Sequence, residues 1–130
     1  MLKPLGYRSY HSGKWHVDGM PVANGFDHSY CLEDCGRYFS PKVHYLDDRK
    51  LPAVERNTSY YATVAIADRT IDFLKQHQAE HATQLFFAYV CFNAPHFPLQ
   101  ALPADIAKYR ERYLKGWDAL REERWERMKQ

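Results

Sequence analysis

A lysine one residue from a histidine, within Gly13-Lys14-Trp15-His16, can hold a tetrahedral oxyanion and move a proton at one of its oxygens. Lys14 supplies a compact point charge and His16 a group that titrates near neutrality. A second histidine, His96, lies far away in sequence in Asn93-Ala94-Pro95-His96-Phe97-Pro98, where prolines stiffen the loop that carries it. Gly13 removes the side chain at the point where backbone must approach a ligand closely. Lys14, His16 and His96 are therefore the candidate catalytic residues.

The elements around them agree with that reading. Residues 7–12 read as a short strand closed by Gly13, and residues 85–92 form an apolar run on both alternating faces. Such a run is expected for a central parallel strand whose sheet is covered on both sides. Ligands of open α/β sheets collect beyond the carboxyl ends of the strands, so both motifs should fall on one sheet edge. Residues 2–5 read as a last helical turn stopped by Gly6. Residues 17–41 read as one long loop, of the kind that is usually functional.

Asp47-Asp48 sits between two short apolar stretches and predicts a small hairpin, with Pro52 ending it. Asn57-Thr58-Ser59 offers N-caps for a helix over 60–77, with Tyr60, Val64, Ala67, Ile71 and Leu74 as its buried stripe. Further helices are expected over 103–113 and 117–128, the first opened by Pro103. This is an α/β order, but two core strands cannot make a doubly covered sheet. The chain is expected to be an internal piece of a larger catalytic domain, with both ends cut.

The two motifs, in this order, resemble the sulfatase family. Gly6-Tyr7-Arg8-Ser9-Tyr10-His11-Ser12-Gly13-Lys14-Trp15-His16 is similar to a family signature in which a glycine-tyrosine pair leads a strand into G-K-W-H. Gly25-Phe26-Asp27 matches a following G-F-D, and residues 87–100 resemble the strand ending in N-A-P-H-x-P-L-Q. Residues 116–124 are similar to a tract of bacterial arylsulfatases. The chain departs from the pattern at Ser9, where threonine is usual, and at Val17-Asp18, where leucine-glycine is usual.

The resemblance implies an alkaline phosphatase-like fold, here as a partial, parallel-type sheet with flanking helices and a small hairpin. It also implies hydrolysis of sulfate esters. Lys14 would bridge the nucleophile and a sulfate oxygen, His16 would take a proton when sulfate is expelled, and His96 would bind sulfate and protonate the leaving alcohol. The family nucleophile is a formylglycine made within C/S-x-P/A-x-R, and no cysteine or serine here begins that motif. The family's calcium ligands are expected outside this chain, and Asp47-Asp48, which follows G-K-W-H, reads as a turn. Alone, the chain is expected to be inactive. Two other readings stay open: a phosphate mono- or diester hydrolase of the same superfamily, and a non-catalytic anion-binding or interaction module.

Composition sets outer bounds. At 130 residues with 45% hydrophobic and 15% aromatic content, the chain suits one globular domain at most. A formal net charge of +2 gives no reason to expect nucleic acid as a partner, and no apolar run approaches a membrane span. The N-terminal residues show no signal peptide, and a periplasmic or secreted parent stays possible. Cys31, Cys35 and Cys91 are an odd count and form no disulfide framework; the redox state of Cys31 and Cys35 stays open. His28, His44, His77 and His81 read as surface or partly buried polars.

Overall fold

The computed structural model describes residues 2–130. They fall into two compact units, residues 2–99 and residues 100–130. The first holds β1 (Arg8–Gly13), β2 (His28–Leu32), β3 (His44–Leu46), β4 (Arg49–Lys50), α1 (Ala62–Glu80) and β5 (Phe86–Cys91). The second holds α2 (Pro103–Tyr113) and α3 (Trp117–Met128), both close to the sequence expectation.

The five strands form one sheet in the order β4-β3-β2-β1-β5. β1 runs parallel to β2 and β5, while β3 and β4 turn back antiparallel. A short 3-10 turn, Lys3–Leu5, leads into β1 and ends at Gly6 in the left-handed region. The Asp47-Asp48 hairpin forms as the sequence predicts, with both aspartates at positive φ (49° and 60°). The mixed sheet with its helices is the partial α/β fold expected.

Strand register sorts side chains by face. Tyr10 and Ser12 of β1, Tyr30 and Leu32 of β2, and Ala88 and Val90 of β5 share the face covered by α1. The core there comprises Tyr10, Tyr30, Leu32, Tyr38, Ala62, Ile66 and Phe73. Fully burying each larger apolar member contributes about 1.5–3 kcal/mol. Polar atoms inside it are paired. The Ser12 hydroxyl donates to the Ile66 carbonyl at 2.8 Å, and the Tyr10 hydroxyl meets His77 Nδ1 at 2.9 Å. His77 Nε2 lies 3.1 Å from the Gln84 carbonyl oxygen, so that nitrogen carries the proton and Nδ1 accepts from Tyr10.

Five expectations are corrected. β2 lies inside the stretch read as one loop. Its His-Ser-Tyr-Cys-Leu sequence has no apolar alternation, yet its last four residues are buried, and the Tyr30 hydroxyl is satisfied by Tyr60 and His44. Among the described residues β5 lies at the sheet edge, where the sequence reads as a central strand, with Phe87 and Tyr89 more than two-fifths exposed. The buried stripe of α1 is Ala62, Ile66, Phe73 and His77, whereas Val64 and Ile71 are about half exposed. The helix starts later than expected, at Tyr61 as N-cap, because Thr58 turns its hydroxyl onto the Glu55 carbonyl. Lastly, His44 and His77 are core groups, each 5% exposed.

Candidate functional site

Register settles where the two motifs lie. Gly13 pairs with Cys91 across the parallel β1–β5 ladder, so both strands end at the same sheet edge. Lys14 then donates its backbone N–H to the Cys91 carbonyl at 2.8 Å. Gly13 has φ +118°, and a Cβ there would fall 1.9 Å from the Cys91 carbonyl oxygen. No residue but glycine fits where β1 passes this close to β5. Lys14 is half-buried and His16 exposed.

The loop after β5 is braced from the loop after β2. Asn93, 3% exposed, donates its side-chain N–H to the Cys35 carbonyl at 3.2 Å. The Tyr38 hydroxyl donates to the His96 carbonyl at 2.8 Å. Burial raises the Cys35 thiol pKa, opposed in part by the Lys14 charge. Asn93 and the His96 backbone are thus tied to the loop after β2, and Lys14 to the end of β5. His96 itself is exposed, with Nδ1 2.6 Å from the Phe97 carbonyl oxygen, so that nitrogen is the donor. The peptide bonds before Pro95 and Pro98 are cis.

His16 lines a cavity of about 420 Å³ with Trp15, Val17, Asp18, Gly19, Met20 and Glu33. Neither Lys14 nor His96 lines it. The loop forming it is held by its own bonds: Trp15 Nε1 donates to the Gly19 carbonyl, and Asn24 donates to those of Asp18 and Met20. The Asp48 carboxylate receives the N–H groups of Val22 and Ala23.

Sequence reasoning did not anticipate the bracing contacts of Cys35, Tyr38 and Asn93. Their contacts join residues 58 positions apart, which no local spacing announces. Asn93 has a further distinction, because its side-chain oxygen is buried without a hydrogen-bond partner among the described residues. With its N–H committed to Cys35, that oxygen is the site's open acceptor.

Comparison with known proteins decides the family. The sulfatase family model matches residues 1–130. This chain belongs to the sulfatase family. It is 33% identical over 147 residues to an uncharacterized sulfatase of Schizosaccharomyces pombe, covering 99% of this chain and 26% of that one. It is 28% identical over 141 residues to the arylsulfatase of Klebsiella aerogenes, covering 98% and 30%. A protein solved in complex with its substrate D-glucosamine-2-N,6-O-disulfate superposes with a TM-score of 0.67 at 28% identity, over 85% of this chain and 21% of that one. The sulfatase chain described here therefore spans about a quarter to a third of the curated relatives' length.

The residues do not fit the calcium that sulfatases carry. Among the described residues, no three His, Cys, Asp or Glu side chains come together as a metal site. Asp47 is committed to the Ser29 N–H and to His28, and Asp48 to the loop N–H groups above. Cys31 and Cys35 are free thiols, and burial pushes Cys31 up to about 12, with Glu33 and Asp48 adding to it. A thiol that stays protonated is a poor ligand and a poor nucleophile.

Proposed function

We propose that this chain supplies the anion-holding and proton-moving groups of a sulfuric ester hydrolase, as an internal segment of a sulfatase catalytic domain. The observation that carries the reading is the bond from the Lys14 N–H to the Cys91 carbonyl, which ties the G-K-W-H turn to the strand leading into His96. Lys14 neutralises the nonbridging oxygens of the sulfate. His96 binds sulfate and gives a proton to the leaving alcohol through Nε2. His16 takes the proton from the hydroxyl of the attacking group as sulfate is expelled. Sulfuryl transfer builds charge on the leaving oxygen and keeps it on the nonbridging ones, so a fixed cation and two imidazoles match its needs.

The nucleophile and the calcium ligands come from outside these residues. The substrate class is a sulfate ester, for which the sulfated glucosamine held by the structural relative is a precedent in that protein. The test is replacement of the corresponding segment of the Klebsiella aerogenes arylsulfatase with residues 1–130. The chimera should hydrolyse an aryl sulfate, and the bare chain should release no product. Hydrolysis by the bare chain would place the nucleophile within it and overturn the reading.

A further inference from the structure

His11 is fully buried in β1, directly opposite Ser29 of β2, on the sheet face turned away from α1. Its Nδ1 lies 2.9 Å from the Ser29 hydroxyl and its Nε2 lies 3.3 Å from the Lys14 carbonyl oxygen. A carbonyl only accepts, so Nε2 carries the proton and the Ser29 hydroxyl donates to Nδ1. The ring sits among Trp15, Phe26 and Tyr89, at centroid distances of 5.2, 5.7 and 5.8 Å. Burial lowers its pKa, outweighing the Lys14 carbonyl and Asp48, which act to raise it.

We propose that His11 is a positioning residue that fixes the Lys14-Trp15-His16 turn from beneath. The proposal rests on reading Lys14 and His16 as anion-site residues. Lys14 is held at both sides of its Cα: its N–H by the Cys91 carbonyl at 2.8 Å, its carbonyl by His11. Two such bonds restrict both backbone dihedrals of Lys14 and so fix the direction in which its side chain leaves. The edge-on contact with Trp15 extends the hold toward His16. An aliphatic side chain would fill this buried place without a desolvated imidazole, whose cost is recovered only by the bonds it makes.

The test compares His11→Phe and His11→Gln with the unaltered 130-residue chain at micromolar concentration. Hydrogen exchange by mass spectrometry reads residues 14–19 and α1, and a thermal shift reads binding of inorganic sulfate against chloride. Phenylalanine keeps the ring contacts and loses both hydrogen bonds, whereas glutamine keeps a donor for the Lys14 carbonyl. His11→Phe should speed exchange in 14–19 and weaken sulfate binding, each about five- to tenfold, the loss of one net hydrogen bond. Exchange in α1 should not change, and His11→Gln should recover most of both losses.

Equal exchange in all three chains would overturn the hold. A rise spread equally over 14–19 and α1 would make His11 a core residue and nothing more. Faster exchange with unaltered sulfate affinity would overturn the positioning role. Should His11→Phe not fold, Ser29→Ala removes the donor that fixes the tautomer and must loosen the same segment. If the unaltered chain ignores sulfate, the reading of Lys14 and His16 fails, and the exchange comparison alone still decides whether His11 holds the turn.

Discussion

Gly13 and Cys91 lie side by side where two parallel strands end, so close that a Cβ on Gly13 would sit 1.9 Å from the Cys91 carbonyl oxygen. Gly13→Ala cannot be absorbed by a side-chain rotation, because the clash is with backbone and φ is +118°. The variant should lose about 3 kcal/mol or more. A urea melt checks it, and a midpoint within error of the parent would show that the strands can part here freely.

Tyr10→Phe removes the hydroxyl that satisfies His77 Nδ1 inside the core. The cost should be about 1–3 kcal/mol, the penalty for a buried acceptor left alone. The double variant with His77→Leu should recover part of this, because both polar partners are then gone. Denaturant melts of the four chains give the coupling.

Asp27 gives the fold an acid limit. Burial alone would raise its carboxyl, but the Ser9 N–H, Lys3 and Arg8 outweigh it and hold the pKa below the usual 3.8. A depressed carboxylate stabilises the fold above its unfolded pKa, and that contribution is lost as pH falls through the folded value. The stability gap between the parent and Asp27→Asn should hold steady above about pH 4 and close beneath it. Urea midpoints from pH 2 to pH 7 would show this, and a gap that widens in acid would contradict it.

Among the described residues β5 pairs only with β1, and it leaves apolar side chains on both faces half open. The chain should bind a hydrophobic dye and associate as concentration rises. Leu85, 61% exposed just before this strand, is the place for a charge that blocks edge pairing. Leu85→Lys should lower association, measured by sedimentation, without shifting the thermal transition.

The sequence announced the elements that depend on local chemistry. Gly13 marks the exit of β1, Asp47-Asp48 the hairpin turn, and Pro103 the start of α2. β2 was hidden because serine and histidine fill positions where alternating apolar residues would have marked a strand. The stripe of α1 was misplaced because His77, a titratable group, is one of its buried residues, while Val64 and Ile71 face outward. At the site, Lys14, His16 and His96 stood out by residue type and spacing. His11, Cys35 and Asn93 did not, because each is contacted by a partner on another strand or loop.

Sulfate titration of the chain, on the Leu85→Lys background if association intervenes, tests most directly whether Lys14, His16 and His96 serve one anion. NMR of the Lys14 Cε and of the His16 and His96 ring carbons reads each residue separately. All three should move with a single dissociation constant, and chloride at matched ionic strength should move none. Lys14→Ala should abolish the response of both histidines. If His96 stays still while Lys14 responds, or if the residues report different constants, they do not share a site and the account is wrong.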